Sequence, residues 1–308
     1  MKKTKIKDRR WMIQTLSALA TNAYIPGFLS KPLSIYTGQL KNACVPGLNC
    51  YSCPGAVGAC PIGGLQAVAG GYKHDFSFYV IGTMMVFGLF LGRVICGFLC
   101  LFGFIQDLLY KIPTPKIKVP HKADRVLRYL KYLILILVIL LPVVLITRTI
   151  QTPAATFKLS DPYFCKWLCP AGTLEGGIPL VSSDQHLQQT VGFLFYWKLS
   201  LLGIILLASV FIHRPFCKYL CPLGAFYGLF SKVSLWRMVL DQDKCINCGK
   251  CERACPMNVA VRKDINVPEC IRCGRCKQVC PTSAIRTVYG FREKPAPAEP
   301  MPEGSQTA

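Results

Sequence analysis

Two twelve-residue runs constrain this chain more than any other feature: residues 245–256 read CINCGKCERACP and residues 270–281 read CIRCGRCKQVCP. Each is a complete C-x2-C-x2-C-x3-C-P, the spacing with which a short loop wraps one iron–sulfur cubane and leaves its last cysteine to a neighbouring one. On that pattern Cys245, Cys248, Cys251 and Cys280 hold one [4Fe-4S] cluster, and Cys270, Cys273, Cys276 and Cys255 hold a second. Zinc also binds C-x2-C knuckles, but it needs two separated pairs per site, whereas a third cysteine at the same short spacing, followed by Cys-Pro, is what a cubane requires. The runs therefore predict a small α+β, bacterial-type two-cluster ferredoxin domain over residues 241–288.

Other cysteines among the 18 obey a second spacing. CGFLC at 96–100, CKWLCP at 165–170 and CKYLCP at 217–222 are all C-x3-C, one helical turn. Aligning Arg93 with Arg214 brings the two cysteine pairs, then Gly103 with Gly224, then Lys111 with Lys232, into register without a gap. Cys60, Cys100, Cys169 and Cys221 are each followed three residues later by Gly63, Gly103, Gly172 and Gly224. Gln66, Gln106 and Glu175 follow in turn, with Tyr227 as the exception. The chain thus repeats span, outer motif, span, inner motif twice. Proline after Cys169 and Cys221 suits the first turn of a short helix whose free amides face an anion; Leu101 breaks that pattern after Cys100. Lone cysteines packed as small hydrophobes would not recur in register.

The spans come from apolar stretches at residues 11–29, 76–92, 126–146 and 191–212, each near the roughly 20 residues needed to cross a bilayer. The first carries Gln14, Asn22 and Pro26, and its basic lead-in also resembles a signal peptide with Ala18-Leu19-Ala20 as the cleavage site; an uncleaved anchor is expected because the segment fits the repeat. The net charge is +21. Six basic residues precede span one, seven lie in residues 111–131 and fifteen follow span four, against three in each of the loops 30–75 and 147–190. This bias places both termini in the cytoplasm and accounts for the charge without nucleic acid. Arg93 and Lys198, at span ends, are expected to reach out to the headgroups.

The expected architecture is an all-α polytopic membrane bundle of four transmembrane helices with a two-fold internal repeat over residues 1–240, the ferredoxin domain, and a disordered tail over 289–308. Topology sets Cys96, Cys100, Cys217 and Cys221 together on the cytoplasmic side, where four thiolates can close one inner cubane. The outer side offers Cys44, Cys50, Cys53, Cys60, Cys165 and Cys169 for a site needing four. Repeat logic pairs Cys60 with Cys169, and Cys53 is expected to partner Cys165, leaving Cys44 and Cys50 for an extracytoplasmic disulfide. Cys50 with Cys53 as the ligating pair, or a second small cofactor, stays open.

At CVPGLNCYSCPGAVGACPIGGLQAV, DPYFCKWLCPAGTLEGGIPLV and RPFCKYLCPLGAF the sequence resembles bacterial membrane-bound 4Fe-4S proteins with C-x3-C-P motifs, polyferredoxin-like and related to the NapH-type quinol dehydrogenase subunit. The resemblance covers residues 9–285. It implies a polytopic protein of the bacterial cytoplasmic membrane with four helices, cytoplasmic ferredoxin clusters and a redox role. Leu101 and the long outer cysteine-rich loop depart from the NapH pattern.

Three functions compete. The first is a transmembrane electron conduit from a cytoplasmic donor through the clusters to an extracytoplasmic acceptor, with redox partner proteins on one or both faces. The second is a quinol dehydrogenase, for which Asp107, Glu175, His186 and His213 are the titratable candidates. The third is a redox assembly or regulatory factor. The four histidines, His74, His121, His186 and His213, form no spaced pair facing across two spans, and no C-x2-C-H occurs, which argues against a cytochrome. No dinucleotide or Walker fingerprint is present. Membrane lipid, partner proteins and quinone are the expected partners.

Overall fold

The structure, a computed structural model, describes residues 10–71, 77–117, 119–145, 148–151 and 156–290. The chain is mostly helical. Helix α1 (Arg10–Thr21) and α2 (Pro61–Gly70) flank the cysteine-rich loop, and α3 (Phe78–Phe90), α4 (Val94–Phe98) and α5 (Leu101–Leu109) follow as one broken path. Helix α6 (His121–Val144) leads to an antiparallel hairpin of β1 (Arg148–Gln151) and β2 (Thr156–Leu159). Next come α7 (Tyr163–Trp167), α8 (Pro170–Gly172), a π-helical turn (Thr173–Gly177), α9 (Phe193–Phe211), α10 (Pro215–Tyr219) and α11 (Pro222–Leu229). The last part is closed by β3 (Trp236–Leu240) pairing antiparallel with β4 (Ile285–Tyr289), so that the strands bracket α12 (Lys250–Ala254) and α13 (Arg275–Gln278).

The four-span expectation is met only in part. Lys122–Val144 and Phe193–Phe211 are long and apolar enough to cross a membrane, while Phe78–Phe90 is apolar but shorter. The first apolar stretch is broken into α1 and a separate four-residue helix at Pro26–Leu29. Helix α1 stops because Thr21 and Asn22 turn their side chains back onto Ser17 and Ala18 carbonyls and Pro26 cannot sit in a continuing helix. The Val57 amide donates to the Thr21 carbonyl at 3.1 Å and Tyr24 to that of Gly55 at 3.1 Å, so the chain folds into the cysteine-rich loop.

Large apolar side chains cover the outside of the two long helices: Val126, Leu133, Ile136, Leu140 and Val144 on α6, and Phe193, Ile204 and Leu207 on α9, are all exposed. Such a belt is unfavourable in water and suited to hydrocarbon. The core is the reverse of a plain hydrophobic bundle. Beside Ile62, Met84, Phe102, Phe216 and Tyr227 it buries Arg93, Lys131 and Arg214 at 0% exposure. His74 and residues 291–308, with the tail expected there, lie outside the described residues.

Candidate metal centres

The last cysteines of the three C-x3-C units and Cys60 share one local geometry. Cys60, Cys100, Cys169 and Cys221 each stand at the N-cap of a helix with extended backbone, φ between -82 and -67 and ψ between 110 and 127. The cap leaves the sulfur facing the amides of the first turn: Gly172 N–H donates to Cys169 Sγ and Gly224 N–H to Cys221 Sγ, each at 3.4 Å. Leu101 starts its helix as the prolines do, since N1 demands only helical φ, which proline presets but does not monopolise.

At the inner site Cys96, Cys100, Cys217 and Cys221 are buried together. Two arginines cross over between the halves of the repeat. Arg93 donates through Nη2 to the Cys217 carbonyl at 3.3 Å and through Nη1 to the Pro268 carbonyl; Arg214 donates through Nη1 to the Cys96 carbonyl and through Nε to Asp107 Oδ1 at 2.8 Å. Snorkelling is therefore wrong for Arg93, which is turned inward by these acceptors. Gly103 and Gly224 make the crossing possible, because a Cβ at either position would lie 3.1 Å from the opposite arginine. Gln106 Nε2 donates to Cys217 Sγ at 3.1 Å. Asp107 also lies 3.1 Å from His213 Nε2 and accepts from Gln14 at 3.1 Å, so two of the titratable candidates are tied into one buried polar cluster.

At the outer site the structure gathers Cys60, Cys165, Cys169 and Cys50. Cys50 Sγ packs on the helix of the opposite half, 3.8 Å from where a Gly172 Cβ would lie and 3.2 Å from one at Gly176. Its N–H donates to Glu175 Oε2 at 2.6 Å, which draws the loop to this side. Cys53, the expected fourth member, lies on the same loop with its Sγ 3.5 Å from Asn22 Oδ1. The repeat explains the vacancy that Cys50 takes: the position four before Cys60 is Ala56, whose carbonyl accepts from Lys41 Nζ at 2.7 Å. In the same way Lys198 Nζ donates to the Cys165 carbonyl at 3.1 Å rather than reaching out to headgroups. Gln66 Nε2 donates to Cys165 Sγ at 3.2 Å, as Gln106 does to Cys217. Burial pushes the Glu175 carboxyl up to about 8, the Cys50 amide holding it partly back. Cys44 and Cys50 are free thiols, not the expected disulfide; Cys44 lies against Gly64, away from the Gly172 helix. His186 is exposed on a separate short helix.

In the terminal domain one cavity is lined by Cys245, Cys248, Cys251 and Cys280, and another by Cys255, Cys270, Cys273 and Cys276. Each set takes its last cysteine from the other motif. The second cavity faces the bundle: Arg272 Nη1 donates to the Leu91 carbonyl at 3.2 Å and its Nη2 to that of Ser231 at 2.6 Å.

These surroundings fit an anionic cubane. The terminal-domain thiols line two cavities, and across the sites N–H groups from Gln66, Gln106, Gly172, Gly224 and Val259 aim at sulfur. Arg93 lies within ion-pair distance of no carboxylate among the described residues, a costly burial unless an anion sits in the space it faces. Burial pushes the Cys270 thiol up to about 12, and cluster binding would take it as the thiolate.

Sequence reasoning missed the clamping roles of Arg93, Lys41 and Lys198, and the whole of the α6 network: Asp124 receives Lys218, Arg128 and, at 2.6 Å, Tyr219, while Glu269 receives Lys131 at 3.2 Å. The in-register arginines before the inner motifs were the available signal; the α6 residues carry none.

The family described as "4Fe-4S dicluster domain" matches residues 237–281, and that described as "4Fe-4S binding domain" matches 76–120, 152–178 and 194–238. The chain is 33% identical over 218 residues to the uncharacterized protein MJ0750 of Methanocaldococcus jannaschii, covering 69% of this chain and 79% of that protein. It is 28% identical to the putative electron transport protein YccM of Escherichia coli, over 63% of this chain and 50% of YccM. With the methylamine utilization ferredoxin-type protein MauN of Paracoccus denitrificans it shares 30% identity over 58% of this chain and 54% of MauN. The chain thus spans about half the length of the latter two. No solved structure matches.

Proposed function

The chain belongs to the membrane-type 4Fe-4S binding proteins and is an iron–sulfur electron-transfer protein, and from that premise we propose that it conducts electrons across the membrane between a cytoplasmic donor and an extracytoplasmic acceptor. In this reading Cys245, Cys248, Cys251 and Cys280 hold the entry cluster. Cys255, Cys270, Cys273 and Cys276 hold the next, Cys96, Cys100, Cys217 and Cys221 the inner membrane cluster, and Cys50, Cys60, Cys165 and Cys169 the outer one. A bound cubane supplies one-electron exchange; the protein supplies ligands, a water-free path and the charges around each site. Residues 241–288 act as the cytoplasmic docking domain, and the broken helices α3 to α5 count as one span, as membrane proteins allow where irregular backbone is buried against a cofactor.

The observation that carries the reading is the continuity of the four thiol groups. Arg93 joins the Pro268 carbonyl, two residues before Cys270, to the Cys217 carbonyl, so the terminal domain and the inner site share one side chain. A second reading, quinol oxidation, draws on a cleft of about 390 Å³ beside the outer site, lined by Leu187, Leu194, Phe195 and Lys198, whose ammonium holds the Cys165 carbonyl. Its size is in the range of small-molecule sites.

Both are tested with purified protein in vesicles, oriented with the terminal domain outward and enclosing a redox dye. The conduit reading expects about sixteen iron atoms per chain, four per cubane, and reduction of the enclosed dye when dithionite-reduced ferredoxin is added outside. Iron limited to about eight per chain, or a dye that stays oxidised, overturns it. Cluster reduction by a menaquinol analogue in the same preparation would favour the second reading.

A further inference from the structure

Residues 46–50 belong to the loop expected on the outside, yet they pass between the two membrane sites. Leu48 and Asn49 are each 2% exposed. The Leu48 amide lies beside Cys100 of the inner group and the Asn49 amide beside Cys60 of the outer group, and Cys50 Sγ then packs on Gly172 next to Cys169. Gly47 lies so close to the inner motif that a Cβ there would be 2.9 Å from Cys100 Cα and 3.1 Å from the Leu99 carbonyl oxygen. The segment is pinned at its start by Tyr227, whose hydroxyl donates to the Pro46 carbonyl at 3.0 Å, and at Asn49, whose Nδ2 donates to the Thr21 carbonyl at 3.3 Å. Tyr227 is the position at which the fourth copy of the repeat departs from glutamine or glutamate. Its departure has a use: a glutamine there would aim at a sulfur, whereas tyrosine fastens this segment.

We propose that residues 47–50 are the electron bridge between the inner and outer sites, with Gly47 and Tyr227 as its positioning residues. The inference rests on the reading above that both sites hold clusters. Electronic coupling decays more slowly along covalent bonds than across gaps, and two consecutive peptide groups, one beside a thiol of each site, shorten the gap at both ends. One electron leaves the reduced centre at one site and enters the oxidised centre at the other; no bond forms or breaks and no proton moves.

The test uses the full-length cluster-loaded protein with Gly47→Val and Tyr227→Phe, mixed with reduced ferredoxin and sampled by rapid freeze-quench EPR. A bridge loosened by the added side chain should slow reduction of the outer centre several-fold in Gly47→Val. The inner centre should fill at the wild-type rate, iron and sulfide contents should stay unchanged, and the magnetic broadening between the two reduced centres should shrink. Tyr227→Phe should show a smaller slowing. Wild-type transfer in Gly47→Val with intact iron overturns the bridge; if that variant loses iron, wild-type transfer in Tyr227→Phe overturns it. Failure of the parent reading looks different, since the wild-type protein would then lack the outer EPR signal altogether.

Discussion

Gln106 and Gln66 do the same thing at two places: each presents one side-chain N–H to the sulfur of the first cysteine of a partner motif, at 3.1 Å for Cys217 and 3.2 Å for Cys165. A donor on a ligating sulfur draws off negative charge and favours the reduced cluster, which raises the potential. Replacing Gln106 by Leu removes one such donor at nearly constant volume. A loss of about 1.4 kcal/mol in that preference corresponds to about 60 mV for one electron, so the inner centre should titrate lower by that order. The terminal-domain centres should be unmoved, and EPR-monitored redox titration reads both. An unmoved inner potential would leave Gln106 as a packing residue. Arg93, held by the Pro268 and Cys217 carbonyls, would act in the same direction with a full charge.

At the scale of elements, the cysteine-rich loop and the cap helices divide what was legible from what was not. The C-x3-C register, the glycines three residues on, and the in-step arginines are local and periodic, so the repeat could be found by alignment alone. Which outer cysteine completes the Cys60 group is decided by where the loop goes. That depends on the Cys50 amide meeting Glu175, a contact across 125 positions that no spacing encodes. The expectation of Cys53 followed the nearest Cys-Pro, whereas the proposal of Cys50 follows its packing on the Gly172 helix. Hydropathy likewise located apolar segments but not their breaks: α1 ends where Asn22 and Pro26 turn the chain, and Arg93, read as a span-end cation, is folded inward by carbonyl groups only the tertiary structure supplies. Cys50→Ser should therefore cost about four iron atoms per chain, one cubane, while Cys53→Ser should retain them. The reverse result in an iron and labile-sulfide assay would restore the original assignment.

At the scale of the molecule, the terminal domain is joined to the bundle by buried ionic contacts rather than by a tether. Lys131 at 0% exposure faces Glu269 at 3.2 Å, with Arg128 3.8 Å from the same carboxylate, and Asp124 gathers Lys218 and Arg128 a turn away. Glu269→Gln leaves the Lys131 ammonium buried without its partner, a change that typically costs about 3–5 kcal/mol. Limited proteolysis of the variant should release a fragment beginning near residue 241 under conditions in which the wild-type chain stays whole, and this protection in the wild type should persist at high salt because the pair is shielded from ions. Equal resistance of the two proteins would show that the docking rests on Arg93 and Arg272 instead.

The exchanged arginines have a consequence for how such a chain could have arisen. Each inner motif is completed by a side chain from the opposite half, so neither half closes its own pocket. That mutual dependence is the signature of a self-complementary pairing between identical copies, where a patch meets its own likeness across a two-fold axis. A single-length forerunner would thus have worked only as a dimer, and joining two copies end to end would have freed Ala56 and Tyr227 to differ from their counterparts.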